Sequence, residues 1–318
     1  MPAARSGQRD IPIACGARLA AEPTTGPAVR TLRIVGVASP SVGMRQREPQ
    51  GPPPAPVVQR VRLRYAKRGR LRFSSTRDFQ RALERALRRA QVPMAFSAGF
   101  HPHPRISYAN AASTGTASEA EYVELALAQR VDPAALRAAL DAALPVGLDI
   151  VEAVEAGRGA LADRLEASDW AIVFPGMPLA QLTAAVATFA AADRVEVTRV
   201  LKAGPRTFDT RGAVSWYAAG ESGSDTDPLV DAALAVPGGC AILRVVVRHT
   251  TPAVRPDDIL TALRTVAALQ PPVPPLVTRL AQGPLRADGV RVADPLAADE
   301  DVAGAEPVPR IPREPTQV

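Results

Sequence analysis

Two of the chain's three histidines lie in one short loop, Gly99-Phe100-His101-Pro102-His103-Pro104. Imidazole titrates near neutral pH, so His101 and His103 are candidates for a general acid or base. Alternate residues of an extended, proline-flanked segment point in opposite directions, and no acidic third ligand lies nearby in the sequence. We therefore predict neither a metal site nor a bound cofactor.

The same loop also has the residue types that contact nucleic acids. Phe100, His103 and Arg105 combine an aromatic ring, an imidazole and a guanidinium on a backbone that prolines stiffen. This combination suits base stacking together with phosphate neutralisation. The alternative is structural, with Phe100 in the core and the histidines capping the turn.

An arginine-rich helix is predicted just before this loop. Ser75 and Thr76 are N-cap candidates, and Asp78 completes a start that resembles a capping box. Apolar residues from Phe79 to Ala90 recur with helical spacing and form one stripe, so the arginines fall mainly on the other side. Each guanidinium is a rigid donor fork that fits phosphate, although a solvated helix face is the alternative. The predicted nucleic-acid-binding residues are Arg70, Arg72, Arg77, Arg81, Arg85, Arg88, Arg89, Phe100, His103 and Arg105.

The charge of the chain is unevenly distributed. Residues 60–105 contain 13 Lys and Arg and 2 Asp and Glu, which gives a net charge of +11. The rest of the chain contains 25 Lys and Arg and 30 Asp and Glu, which gives a net charge of −5. A basic segment in an otherwise mildly acidic protein is typical of a site that binds a polyanion. The alternative is a soluble face in an arginine-rich composition.

The hydrophobic periodicity predicts an α+β protein made of two tandem ferredoxin-like modules. Residues 57–156 show the order strand, helix, strand, strand, helix, strand, which is the split βαβ pattern. A similar order recurs in residues 169–285, after a linker at 157–168. In this second module we predict a hairpin between residues 195–201 and 214–217.

The two ends of the chain read as disordered tails. Residues 1–56 and the acidic residues 286–318 are rich in proline and lack periodicity, and Met44 is an alternative start of translation. No run of about 18 apolar residues occurs, so we expect no membrane-spanning helix. We also expect no secretory signal, because the first ten residues lack an apolar stretch. Together these patterns predict a cytoplasmic protein.

The remaining reactive side chains favour structural roles. Two distant cysteines, Cys15 and Cys240, exclude a disulfide framework and an all-protein cysteine site for zinc or iron–sulfur within one chain. Asp209 and the pair Asp257 and Asp258 can act as paired carboxylates. However, an aspartate pair after Arg-Pro is more often a helix cap and dipole partner. Cys240 has no neighbouring base in the sequence, which favours a small buried residue over a nucleophile.

Several long motifs occur in order along the chain. They are RLRFSSTRDFQRALERALRR and VPMAFSAGFHPHPRISYANAASTGTASEAEYVEL, followed by RTFDTRGAV, RHTTPAVRPDDIL and TRLAQGPL. Over nearly all of residues 60–285 the chain resembles a family of uncharacterised bacterial proteins called radical SAM-linked proteins, which are encoded beside or fused to radical SAM enzymes. The resemblance implies a radical SAM protein as a partner and, by neighbourhood, a link to RNA metabolism.

The chain departs from this family's pattern at one position. The family usually has Ser-His-x-Asp at the start of the first helix, whereas this chain has Ser75-Thr76-Arg77-Asp78. If the family histidine is a ligand or an acid/base group, this protein lacks it. The chain also lacks a C-x₃-C-x₂-C motif, so it cannot hold the iron–sulfur centre of radical SAM chemistry.

Three functions are compatible with these patterns. The first is an RNA-binding or substrate-presenting module that acts with a radical SAM enzyme or an RNA-processing partner and has no activity of its own. The second is an RNA-cleaving or RNA-modifying enzyme that resembles CRISPR RNA-processing endoribonucleases in architecture, with His101 or His103 as the base. The third is a protein-interaction scaffold. The sequence specifies neither the oligomeric state nor the RNA.

Overall fold

The computed structural model describes residues 54–201, 204–223 and 239–299 of the chain. This part contains ten β-strands, four α-helices and short 3₁₀ helices at Gly69–Phe73 and Leu161–Arg164. In chain order the main elements are β1 (Gln59–Lys67), α1 (Thr76–Arg89), β2 (Ile106–Ala109), β3 (Ala117–Leu127), α2 (Pro133–Ala143), β4 (Ile150–Glu155), β5 (Ala167–Phe174), α3 (Leu179–Ala191), β6 (Glu196–Leu201), β7 (Gly204–Asp209), β8 (Val214–Glu221), β9 (Ala241–Arg248), α4 (Pro256–Ala267) and β10 (Leu276–Gly283).

The first half of the described chain, β1 to β4, builds an antiparallel sheet in the order β4-β1-β3-β2. Strand β1 directs Val61, Leu63 and Tyr65 towards α1 and α2, with which they form one core. Successive side chains of a strand point to opposite faces, so Arg60, Arg62 and Arg64, which alternate with these residues in the sequence, lie on the other face of the sheet.

The second half, β5 to β10, repeats the same order with β10-β5-β9-β8. Helices α3 and α4 cover the face that carries Trp170, Ile172 and Phe174. The predicted hairpin between residues 195–201 and 214–217 is wrong, because β6 pairs with β7 and β8 pairs with β9. The Asp209 carboxylate accepts hydrogen bonds from the backbone of Val195, Arg211 and Gly212, and this turn ends the β6–β7 hairpin.

One parallel contact joins the two halves. Strand β10 runs parallel to β3, and the paired residues are Thr278 with Ala117 and Arg279 with Ser118. The sheet is therefore continuous and mixed, in the order β4-β1-β3-β10-β5-β9-β8, with β2 on β3. The α+β class is confirmed. None of the helices in the described ranges has the length and apolar character that crossing a membrane requires.

Residues 284–299 pack on the sheet face opposite to the helices. Leu296 is fully buried against Tyr122, Leu161 and Leu165. A Cβ atom at Gly283 would lie 2.2 Å from the carbonyl oxygen of Ala293, so the segment approaches the end of β10 closely. The prediction of a disordered tail from residue 286 is therefore wrong as far as residue 299. Residues 300–318, and 1–53 of the predicted N-terminal tail with Met44, lie outside the described residues.

A buried ion pair anchors this C-terminal segment. Arg62 is 1% exposed and donates to both carboxylate oxygens of Asp299, at 2.8 and 2.9 Å. The same carboxylate accepts from Arg164 at 3.0 Å and from the Gly157 backbone at 2.8 Å. Residues far apart in the sequence thus share one carboxylate, which fixes the segment over the sheet.

We expect the substitution Asp299→Asn to lower the free energy of unfolding by about 3 kcal/mol, because it removes the carboxylate charge that Arg62 and Arg164 share and leaves the buried Arg62 with Glu124 as its remaining counterion. Chemical denaturation of the full chain measures the change. Asp163→Asn is the matched control, since Asp163 lies in the adjacent 3₁₀ helix and is exposed. Equal stability of the two variants would contradict the role of the buried pair.

Candidate nucleic-acid interface

Helix α1 is built as its sequence predicts. The Ser75 hydroxyl accepts from the Asp78 backbone at 3.3 Å, and the Asp78 carboxylate accepts from the Ser75 backbone at 3.0 Å, which is a capping box. The apolar stripe is buried, and the ring of Phe79 stacks on Tyr65 with centroids 3.9 Å apart. This packing fixes the rotation of the helix about its axis.

Packing of the stripe directs the arginines of α1 outwards. Arg77, Arg81, Arg85 and Arg88 are exposed, and in the part of the chain that the structure describes none of them forms a salt bridge. We call Arg81, Arg85 and Arg88 the basic strip, because residues three and four apart are neighbours on a helix surface, about 5–6 Å apart. Arg89 differs, since it donates to the Ala143 carbonyl at the end of α2.

The arginines of β1 and the turn that follows it have carboxylate partners. Arg60 and Arg62 pair with Glu124 at 2.9 and 3.0 Å, and Arg64 pairs with Glu152 at 2.9 Å. Arg68 pairs with both Glu119 and Asp149. These pairs neutralise much of the net charge of residues 60–105, and the unpaired positive charge lies mainly on α1 and its flanks.

Two further predicted arginines lie immediately before α1. Arg70 is exposed, and Arg72 is half-buried with its guanidinium 4.8 Å from the centroid of the Phe73 ring. The Phe73 side chain is 59% exposed, which is unusual for a phenylalanine next to a core helix. The 3₁₀ helix Gly69–Phe73 thus exposes the Phe73 ring next to the Arg72 guanidinium.

The histidine loop is also exposed. Phe100 is 62% exposed, so it does not belong to the core, and His101, His103 and Arg105 are exposed as well. The backbone holds the loop, since Ser97 exchanges hydrogen bonds with the main chain of His103. Neither histidine ring has a hydrogen-bond partner in the described residues, so no group there orients either ring for acid/base chemistry.

The histidine loop and the C-terminal end of α1 meet at a small apolar notch. Leu87 and Arg88 from α1 line this notch of about 110 Å³ together with Met94, Phe96 and Pro104. Phe96 forms a backbone bridge with Pro104 and is 45% exposed. The contact places the stem of the loop beside one end of the basic strip.

The N-terminal end of α1 borders a larger opening between the two halves, with a volume of about 550 Å³. We call it the central cleft. It lies on the helix side of the sheet and was not predicted from the sequence. Its lining includes residues 75–77 of α1, the loop 110–114, Ser168 and Trp170 of β5, His249, residues 253–256 at the start of α4, and Arg279 of β10. Thr76, the position at which the resemblance implies a histidine, lies in this cleft.

His249 is held at one wall of the central cleft by three polar groups. Its Nδ1 lies 2.7 Å from the Leu165 carbonyl oxygen, and its Nε2 lies 2.8 Å from the Ser168 hydroxyl and 3.3 Å from the side-chain amide nitrogen of Asn110. Because a carbonyl only accepts, Nδ1 carries the proton and Nε2 accepts from Ser168. Burial lowers the pKa of His249, the Leu165 hydrogen bond raises it, and the nearby Arg279 charge lowers it.

The other candidate residues have structural contacts. Asp258 accepts from the Arg255 backbone at 2.8 Å and pairs with Arg199, as the helix-cap interpretation predicts. Burial raises the pKa of Asp258, and its hydrogen bonds and neighbouring arginines lower it. Cys240 is buried and free. Within residues 54–201, 204–223 and 239–299, no group of three or more His, Cys, Asp or Glu side chains could hold a metal ion.

Residues 60–256 match the family described as "Uncharacterized protein conserved in bacteria (DUF2344)". The chain belongs to this family. The match extends from β1 to the start of α4, so most of α4, β10 with Arg279, and the C-terminal segment lie beyond it. A search of curated proteins finds no match.

We expect the free energy of unfolding to fall as the pH decreases from 6.5 to 5.5, by up to about 1 kcal/mol from His249 alone. The pKa of His249 is lowered in the folded state, so below its ordinary value of 6.5 the unfolded chain binds the proton more readily. Denaturant titrations of His249→Gln and of the exposed controls His101→Gln and His103→Gln measure the contribution. A pH dependence that is as steep in His249→Gln as in the parent protein would contradict it.

Proposed function

We propose that this protein binds single-stranded RNA through the basic strip and its aromatic flanks, and presents it to a radical SAM or RNA-processing partner in the cytoplasm. The observation that carries the proposal is the separation of two classes of arginine. Those of β1 and the following turn pair with carboxylates, whereas Arg81, Arg85 and Arg88 have no salt-bridge partner in the described residues. Exposed, unpaired guanidinium groups in a row can neutralise successive phosphates.

Exposed aromatic rings at both ends of α1 support RNA as the polyanion. Phe73 precedes the helix and is 59% exposed, while Phe96 and Phe100 follow it and are 45% and 62% exposed. Proteins that bind single strands combine a basic groove with aromatic rings on which unstacked bases pack, whereas duplex binding relies on phosphate and groove contacts. This arrangement favours a single strand that runs along α1.

The radical SAM partner in this proposal is what the resemblance to radical SAM-linked proteins implies. The chain has no C-x₃-C-x₂-C motif for the iron–sulfur centre, so radical chemistry belongs to the partner in this proposal. We further propose that each half is a ferredoxin-like module. The repeated strand orders β4-β1-β3-β2 and β10-β5-β9-β8 support this assignment, since each corresponds to the order 4-1-3-2 within its half.

We expect the triple variant Arg81→Gln, Arg85→Gln and Arg88→Gln to bind RNA more weakly and with a shallower salt dependence. Each phosphate contact contributes about 0.7 to the slope of log K against log salt for a single strand, so the slope should decrease by about 2. Fluorescence anisotropy with a labelled single-stranded RNA over a range of salt concentrations measures both quantities.

The matched control is the triple variant Arg206→Gln, Arg248→Gln and Arg264→Gln. These arginines are also exposed but lie in the second half of the described chain. The control removes the same total charge, so it separates a local interface from a general effect of net charge. Equal losses of RNA affinity in the two triple variants would contradict the proposed interface, as would full binding by the basic-strip variant.

A further inference from the structure

We infer that the central cleft is a binding site for a phosphate monoester of nucleotide size, supplied either by a free mononucleotide or by the terminal phosphate of an RNA strand. The inference does not require the basic strip, since Arg81, Arg85 and Arg88 lie outside the lining of the cleft. A volume of about 550 Å³ exceeds what one inorganic phosphate needs and falls within the range of small-molecule sites.

The lining of the central cleft carries positive charge without a carboxylate. Arg77 from α1, Arg255 from the residue before α4, and Arg279 from β10 all border it. Its seventeen lining residues, all within the described part of the chain, include neither aspartate nor glutamate. Three guanidinium groups around one cavity provide the rigid donor forks that bind phosphate in a bidentate manner.

A buried excess of positive charge lies beneath the central cleft. Arg279 has a side chain that is 6% exposed, and it donates to Glu121 at 3.1 Å and to the Asn110 carbonyl at 2.7 Å. Its Nε atom is buried and has no hydrogen-bond partner. Lys67, also buried, donates to the carbonyl of Ser113 in the loop that lines the cleft, and Glu121 attracts both cations.

This cluster leaves two buried cations facing one carboxylate. Burial lowers the pKa of Lys67 and of Arg279, as expected where charged forms are incompletely compensated. A phosphate in the adjacent cavity would supply the missing negative charge, since uncompensated charge is costly in a low-dielectric interior. The cluster therefore favours an anionic ligand over a neutral or cationic one.

Neutral donors around the cleft suit the same ligand. Hydroxyl groups of Thr76, Ser113 and Thr114 border it. Trp170 forms part of the floor, and the Arg279 guanidinium lies 4.6 Å from the centroid of its ring. An anion that reaches Arg279 would therefore change the surroundings of Trp170.

Trp170 fluorescence tests the inference in the full chain. The chain has two tryptophans, so Trp216→Phe leaves Trp170 as the only tryptophan, which is excited selectively at wavelengths where tyrosine does not absorb. Into this background we would titrate adenosine 5′-monophosphate, adenosine, and an oligoribonucleotide with either a 5′-phosphate or a 5′-hydroxyl. We expect saturable changes in emission with the phosphorylated ligands and no such change with adenosine.

Arginine variants locate the site. We expect Arg255→Gln and, separately, Arg77→Gln to weaken binding of the phosphorylated ligand at least tenfold, while Arg264→Gln in the last turn of α4 retains the parent affinity. All three side chains are exposed, so the core is unchanged, and thermal unfolding of each variant verifies this. Site-dependent binding of adenosine 5′-monophosphate supports a free nucleotide as the ligand. Tighter binding of the 5′-phosphate strand than of the 5′-hydroxyl strand, with no response to the mononucleotide, supports a strand terminus.

Two results would overturn the inference. One is no response of Trp170 to any phosphorylated ligand, and the other is a response that Arg255→Gln and Arg77→Gln leave unchanged. The basic-strip triple variant keeps this test separate from the proposed function. It should retain cleft-dependent binding of the phosphorylated ligand even where its affinity for the body of an RNA strand is lost.

Discussion

The structure depends on how a small number of buried charges are compensated. At the seam of the two halves, Arg279 of β10 reaches Glu121 of β3, and Gln282 donates to the Ala120 carbonyl at 2.6 Å. The main-chain pairing of these strands involves only two residue pairs, so side chains must provide much of the specificity of this junction. Glu121 also accepts from the Ala112 backbone at 2.9 Å, and one carboxylate thereby fixes both the seam and the loop that lines the central cleft.

The same constraint decides which arginines remain available for a ligand. On the outer face of β1 the guanidinium groups pair with Glu124, Glu152 and Asp299, and Arg62 among them is fully buried. On α1 the apolar stripe occupies the buried face, so the arginines point outwards, away from the carboxylates of the sheet. The net charge of a sequence segment does not distinguish the paired arginines of β1 from the exposed arginines of α1. Whether an arginine is paired depends on carboxylates that are distant in the sequence.

Local features were predictable, and distant contacts were not. The start of α1, its buried stripe and the exposed arginines follow from spacing of three and four residues, which the sequence displays directly. The burial of Arg62 was missed because its partner, Asp299, lies in a stretch whose composition suggested a disordered tail. The central cleft was missed because Arg77, Arg255 and Arg279, which line it, belong to different halves of the chain and share one cavity only after the halves join. Their motifs, RHTTPAVRPDDIL and TRLAQGPL, were the available signal.

Arginine footprinting tests most directly whether the arginines of the sheet are buried or paired while those of α1 are free to bind RNA. Phenylglyoxal modification read by mass spectrometry, with and without a single-stranded RNA, reports the accessibility of each arginine. The account predicts that Arg62 and Arg279 are unreactive in the folded protein, and that RNA protects Arg81, Arg85 and Arg88 but leaves Arg206 and Arg264 reactive. Protection confined to the second half, or rapid modification of Arg62 in the folded chain, would contradict it.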